Sequence, residues 1–523
     1  MSSPVVVGRE GRYVLAVDLG TGGPKVGLVS LTGVIAGRDH LAVPTHHSPD
    51  GGATQDAGLW WDLIRDAARR LVGSGVVRPE QVVAVSCTGQ WASTVPVDAR
   101  GCPVDDCLLW SDTRGGPFVR RAVGGPFGGY SPTALLRWIR HSGGAPSTSG
   151  ADPIGHILYL EHARPEVARA TRWYLEPVDY LSMCFTGVAS ASPASMAGAW
   201  LTDNRLPGLL CYDPVLISAS GVPVDKLAPL RPTGSVVGTV RAAVADDLGI
   251  PLDVPVVTGM PDLHSAAAGA GAVLIHQAHL AVSTTSWLSC PHPGKKTDPF
   301  RQMATVPGFV PGLNLVANNQ DSGGAALQWL RGLLADRDDP GSFDDLTGLA
   351  AAAPPGSGRV LFTPWLAGER SPVDNRSARG GFHNLSLRTT RAELVRAVLE
   401  GVAFNTRWLA QGVERFIGQS LGPIRAIGGG ATSSLWCSIY ADVLGRTIEQ
   451  VADPVHANLR GAALLAGLAL GQVRAEEIAS LVTLEAVHRP EPGHRPLYDE
   501  LFREFLALYS AQSGTFARLN RSR

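Results

Sequence analysis

The tightest constraint on what this chain can fold into lies near its start. An apolar strand around Tyr13–Asp18 passes through the turn TGGP straight into a second strand around Lys25–Ser30, and the turn LTG leads on to a third strand toward Val43. A Walker loop and a dinucleotide fingerprint both set their glycines between a strand and a helix whose N-terminus receives phosphate. Here a hairpin takes the place of the helix, which excludes both of those nucleotide folds.

Beyond this meander the periodicity alternates. GLWWDLIRDAARRLV reads as a helix, VVAVSCTGQW as a strand entering a loop, and ILYLEHARPEVARA as helical again, giving an α/β pattern. A second series begins near residue 255: VPVVTGMPDLHSAAAGAGA gives a strand, a loop and a small-residue helix, then HLAVSTTSWLSC gives a strand, a hydroxyl-rich turn and a strand. The meander-like opening thus occurs twice, which points to duplication without a letter-by-letter repeat. The division is expected between residues 1–253 and 254–523, and 523 residues are too many for one core. AAAPPGSG before Arg359 and the Gly/Pro-rich stretch Gly124–Gly150 read as surface loops decorating the halves.

Charge and cysteine usage narrow the partners. Lys plus Arg number 45 against 46 Asp plus Glu, so no broad basic field exists to neutralise a nucleic-acid backbone or an anionic membrane. No run of eighteen apolar residues occurs, and the start MSSPVVVGREGRYVLAVDLG lacks a leader core, so a cytoplasmic protein acting on a small molecule is expected. A homodimer is left open. The seven cysteines (Cys87, Cys102, Cys107, Cys184, Cys211, Cys290 and Cys437) are scattered without a C-x-x-C pair, and read as buried, reduced thiols.

Four segments carry chemistry. Asp18 ends the first strand and is followed by Gly20, Thr21, Gly22, Gly23 and Lys25, so a carboxylate, a hydroxyl, backbone amides and an ammonium converge on one turn, a set suited to a phosphate with its metal. An ordinary Gly-rich hairpin is the plain alternative. Ser283, Thr284, Thr285 and Ser286 offer hydroxyls at the second turn. In IRAIGGGATSSLWCSIYADVLG a strand runs into Gly428, Gly429 and Gly430, then a helix with Leu435, Ile439 and Val443 on one face stops at Gly445; the glycines admit a flat ligand or simply make a tight connection. Asp262, between a strand and the next helix, is placed to accept a proton from a substrate hydroxyl or to cap the helix.

These segments, in this order, resemble the FGGY family of carbohydrate kinases. The longest match is LFTPWLAGERSPVDNRSARGGFHNLSLRTTRAELVRAVLEGVAF, with Gly380, Phe382, Leu385, Glu393, Leu394, Ala397, Val398, Leu399 and Glu400 fitting the family signature and Asn384 standing where glycine is usual. Physically it reads as scaffold, with a capping box from Thr390 to Glu393 and a buried face of Leu394, Val395, Val398, Leu399 and Val402. VDLGTGGPK, TGQW, LLWSDTRG, LEPVDYLSMCFTG, VVTGMPDLHSAAAGAGA, IGGGATSSLW and RGAALLAGLALG extend the likeness over nearly the whole chain, and xylulokinases are the most similar branch.

The resemblance implies a two-domain, actin-like ATPase fold of the ribonuclease-H type, with duplicated domains around a cleft and phosphoryl transfer from ATP with Mg2+ to a small sugar or polyol. Carried over position by position, it implies Asp262 as catalytic base and Asp18 as the metal-holding carboxylate. Thr21, Lys25, Thr284, Thr285, Gly429, Gly430 and Ser433 would meet the nucleotide, and Gln90, Trp91, Asp112 and Arg114 the sugar, together with Asp262. The chain departs from the xylulokinase pattern at Trp91 and Ala92, where Met-His is usual, at Leu263 for Asn, around Ser195, where an Asp is missing, and in STTSW for GTSG, where Trp287 replaces a glycine. A catalytically silent sugar or nucleotide sensor and a polymerising actin-like protein are the other readings such a fold allows.

Overall fold

The computed structural model describes residues 11–206, 208–334 and 342–520; the first half of the opening segment read for a leader lies outside them. β1 (Tyr13–Gly20) and β2 (Gly23–Ser30) form the antiparallel hairpin, and β3 (Ile35–His40) extends it. Every residue from Val14 to Leu19 is buried, which is why β1 is a continuous apolar run rather than an alternating one: helices cover both faces of its sheet. On one face lies α1 (Ala57–Gly73), capped by Asp56 accepting the Leu59 N–H and burying Trp60, Ile64, Ala67 and Ala68 along one stripe.

β4 (Val82–Gly89) runs parallel to β1; beyond it come β5 (Val236–Thr239) and β6 (Pro255–Val257), in the order β5-β6-β4-β1-β2-β3, and β7 (Met260–Pro261) pairs with the end of β4. A second sheet contains β8 (Ala278–Val282), β9 (Ser286–Ser289), β10 (Ile424–Ile427), β11 (Ile448–Val451) and β12 (Leu484–His488), in the order β9-β8-β10-β11-β12. The two sheets repeat one plan. A first strand is antiparallel to its hairpin partner and parallel to a third strand, then comes another parallel strand and an antiparallel edge.

Each sheet has its own apolar core, and a third core lies between them. α2 (Pro177–Thr186) packs on the first sheet. Two small-residue helices, α3 (Asp262–Ala270) and α6 (Ala457–Ala469), fill the middle, while α4 (Arg391–Ile417) and α5 (Ser434–Leu444) pack in the second half. α3 and α6 touch backbone to backbone: a Cβ on Gly269 would lie 1.8 Å from the Ala457 carbonyl oxygen, and one on Gly461 1.8 Å from that of Ser265. Only glycine permits that approach, and it ties the helix bearing Asp262 to the second half.

Several local expectations hold. Thr390 and Glu393 form the capping box of α4, and Gly445 ends α5 in the left-handed conformation. Others change. ILYLEHARPEVARA is two helices, Pro153–Ala163 and Pro165–Ala170, because Pro165 supplies no N–H and forces Arg164 out of the helical region. The Gly/Pro-rich stretch contains a helix, Pro132–His141, and the AAAPPGSG loop is tied down by the Gly356 N–H and Ser357 Oγ, which donate to Glu400 at 2.9 and 2.8 Å. All seven cysteines are free, but Cys102 is exposed and Cys211 half-buried. β6 and β7, which follow residue 254, hydrogen-bond into the first sheet.

Candidate active site

The site begins where β1, β4 and β7 end side by side. Asp18 stands opposite Lys25 in the β1–β2 register, and the Lys25 ammonium donates to its Oδ2 at 3.1 Å. Asp18 is buried, with about a fifth of the Lys25 side chain exposed. Thr88 of β4 is the register partner of both Asp18 and Met260, so Gln90 and Asp262 leave neighbouring strand ends beside Asp18.

Asp262 is the first residue of α3 and does not cap it in the usual sense; its Oδ1 accepts the N–H of the next residue, Leu263, at 2.8 Å. The Thr88 hydroxyl donates to Ser265, whose own hydroxyl donates to the Asp262 carbonyl, pinning this corner to β4. The Asp262 carboxyl is half-buried. Loss of water contact, followed by repulsion from Asp18, raises its pKa to about 7 against a smaller lowering by Lys25. A carboxyl poised near neutrality beside a second carboxylate and an ammonium is suited to proton transfer.

Just after β4, the Gln90 N–H donates to the Leu19 carbonyl at 2.8 Å, and the Gln90 Oε1, buried, has no partner among the described residues. Asp112 is fully buried and grips Arg114, with Nη2 to Oδ2 at 2.6 Å and Nε to both oxygens at 3.1 Å, while Arg114 lies 4.6 Å over the Tyr159 ring. Asp112 therefore orients Arg114. Trp91 is half-buried, and its indole N–H donates to the Ser195 carbonyl at 2.8 Å, so the donor the sequence credits to it is already engaged. Leu263 is buried in the core between the halves.

The second wall is uncharged. Between β8 and β9, Ser283 and Thr284 are exposed and Thr285 is half-buried, while the N–H groups of Gly323, Gly324 and Ala325 bond the Ser283 and Thr284 carbonyls. Trp287 lies beyond the turn in β9, paired with Ala281, and its indole faces His279 at 3.3 Å. Gly428, at φ +88°, presses on this turn: a Cβ there would come 2.6 Å from the Val282 carbonyl oxygen, and one on Gly430 2.4 Å from Val282 Cγ1. Gly429 is exposed with open space on its side-chain face, and Ser433 caps α5 by accepting the Trp436 N–H at 3.2 Å. No hydrogen bond or ion pair joins Thr284 or Thr285 to Asp18 or Lys25 among the described residues, so the two turns form separate walls.

Two further residues border the site. Trp110 donates its indole N–H to the Thr21 hydroxyl at 3.2 Å, linking the first turn to the Asp112 loop; its position in LLWSDTRG was the available signal. Glu176 is buried and accepts the Ser93 N–H at 3.2 Å; its place in LEPVDYLSMCFTG was the available signal, though its partner was not.

With this geometry in hand, the comparisons are specific. The N-terminal domain model of the FGGY family of carbohydrate kinases matches residues 13–269 and its C-terminal domain model residues 289–470. The chain belongs to the FGGY family of carbohydrate kinases, enzymes that use ATP with Mg2+ as phosphate donor. It is 26% identical over 504 residues to a xylulose kinase of Staphylococcus epidermidis, covering 95% of this chain and 96% of that protein. It is likewise 26% identical over 525 residues to an autoinducer-2 kinase of Escherichia coli, covering 96% and 95%. The crystal structure of a xylulose kinase from Rhodospirillum rubrum superposes with a TM-score of 0.83 at 27% identity, over 97% of this chain and all of that one. The two-domain α/β kinase fold is thus established. Among the described residues no helix is long and apolar enough to cross a membrane.

The residues present fit MgATP. Asp18 and Asp262 offer hard oxygen donors beside the Lys25 ammonium, as suits a metal that takes few protein ligands and keeps its waters. The open face of Gly429 and the exposed hydroxyls of Ser283 and Thr284 suit a nucleotide and its phosphates.

Proposed function

We propose that this kinase transfers the γ-phosphate of ATP to a hydroxyl of a small sugar or polyol, a xylulose-like ketopentose being the favoured acceptor, with Asp262 as general base. The observation that carries this reading is the position of Asp262, its pKa raised to about 7, at the strand ends shared with Asp18 and Gln90. The names of the relatives support a ketopentose, while the departure at Trp91 argues for a preference unlike theirs.

When bound, MgATP supplies the phosphoryl group and the cation that offsets charge on its oxygens. Asp18 would hold the metal, with Thr21 and Lys25 directed at the terminal phosphates. Lys25, held against Asp18, brings a fixed positive charge to where negative charge grows during transfer. Thr284 and Thr285 would meet phosphate across the gap, and Gly429, Gly430 and Ser433 would line the nucleotide. Gln90 presents an unpartnered carbonyl oxygen and Arg114, oriented by Asp112, a guanidinium, as a polyhydroxylated acceptor requires. Ionised Asp262 takes the proton of the attacking hydroxyl as the new O–P bond forms and the bond from the γ-phosphorus to the bridging oxygen breaks, leaving ADP. Because β6 and β7 belong to the first sheet, we place the division between the halves within α3, a little after the 253/254 boundary read from sequence. The protein is proposed to act in the cytoplasm.

A coupled ADP-release screen over ketoses, aldonates and polyols tests the reading. Acceptor-dependent ADP release with a ketopentose among the best acceptors is expected. ATP binding without acceptor-dependent release from any of them would favour the silent sensor.

A further inference from the structure

The loop after β4 is held in an unusual way. Ala92 sits in the left-handed region at φ +59°, a conformation that costs a non-glycine residue free energy and persists only where its surroundings enforce it. The enforcing group is Glu176. It directly precedes α2 yet makes no capping bond to that helix. Instead its Oε2 accepts the Ser93 N–H at 3.2 Å, directly beside Ala92.

One turn further along, on α2, Asp179 lies beside Ser195, the residue whose carbonyl oxygen receives the Trp91 indole N–H. Glu176, at the start of α2, thus holds the backbone of the Trp91 loop, and Asp179, three positions on, lies beside the residue that receives the Trp91 indole. Both carboxyl groups are buried, with 2% of each residue exposed, and each keeps one oxygen without a partner. Among the described residues neither carboxyl has a salt-bridge partner, and burial pushes both well above the ordinary carboxylate range. Such uncompensated burial is costly, and its visible return is a fixed loop beside Gln90.

We propose that Glu176, seconded by Asp179, is a positioning residue for acceptor selection: it fixes the Trp91–Ala92 turn so that Trp91 presents a partly exposed ring surface and no free N–H to the acceptor. The proposal rests on the reading that Gln90 and Trp91 border the acceptor. It makes Trp91 a contact for the C–H-rich face of a sugar or polyol.

The test combines amide hydrogen exchange over residues 88–95 with steady-state kinetics for the best acceptor among D-xylulose, D-ribulose, xylitol and glycerol. In Glu176→Ala, exchange at Ala92 and Ser93 is expected to rise, and the acceptor KM to increase about tenfold, the scale of a lost buried hydrogen bond. The KM for ATP should stay within about twofold, and Glu176→Gln, which keeps an acceptor oxygen, should restore both the exchange and the acceptor KM. Unchanged exchange, an unchanged acceptor KM, or acceptor and ATP KM values rising together would overturn the proposal. Trp91→Phe deletes only the indole N–H and decides the matter if Glu176→Ala does not fold: a raised acceptor KM with faster exchange over 192–199 supports it, and no change in either overturns it. Should wild type turn over none of the four acceptors, the acceptor reading itself falls, while the exchange measurements still decide whether Glu176 holds the loop.

Discussion

The β1–β2 and β8–β9 hairpins occupy the same place in two sheets of the same plan, yet they carry different chemistry. The first sets Asp18 against Lys25 across the strands; the second offers Ser283, Thr284 and Thr285, without charge, on a turn buttressed by the amides of Gly323, Gly324 and Ala325 and by the Gly428–Gly430 segment. A duplicated backbone fixes where turns arrive but leaves their side chains free. In the proposed reading one copy handles charge, with Asp262 beside it for acid–base work, and the other shapes a neutral wall. The charged wall should therefore dominate the rate and the neutral wall should affect mainly nucleotide affinity.

Mutations can break or sharpen that division. The largest effect is expected for Asp262→Asn, with kcat falling about 10²–10⁴-fold in ADP release and ATP affinity preserved. Lys25→Met should lower kcat about 10²-fold, because a fixed charge aimed at the developing phosphoryl charge is lost. Asp18→Asn should raise the magnesium concentration needed for half-maximal rate about tenfold, read from a magnesium titration of activity. Smallest of all, Thr284→Val with Thr285→Val should raise the KM for ATP about three- to tenfold with little change in kcat, as expected for one or two hydrogen bonds. A threonine pair that costs more in kcat than Lys25 would reverse the assignment of the walls.

Much of this was legible in the sequence, for identifiable reasons. The hairpin that replaces a helix after β1, the second hairpin at Ser283–Thr285 and the glycines before α5 are local signals, set by turn chemistry and periodicity, and each folds as read. What escaped depends on contacts distant along the chain. Glu176 reaches Ser93 across 83 positions and the Trp91 indole reaches Ser195 across 104, so neither partnership leaves a trace in spacing. The same distance effect explains Leu263, which reads as a pocket substitution but packs in the core shared by both halves. The division near residue 254 was read from the start of a second periodic series, whereas strand pairing carries β6 and β7 back to β4.

The pH dependence of kcat/KM for the acceptor at saturating ATP tests the central claim most directly. Asp262 must be ionised to accept a proton, and burial with repulsion from Asp18, partly offset by Lys25, places its pKa at about 7. In wild type, kcat/KM should therefore fall about tenfold per pH unit below about 7 and level off above it, and Asp262→Asn should lose that acid limb along with most of the rate. A wild-type profile that stays flat through this range, or an acid limb that survives unchanged in Asp262→Asn, would contradict the assignment of Asp262 as the base.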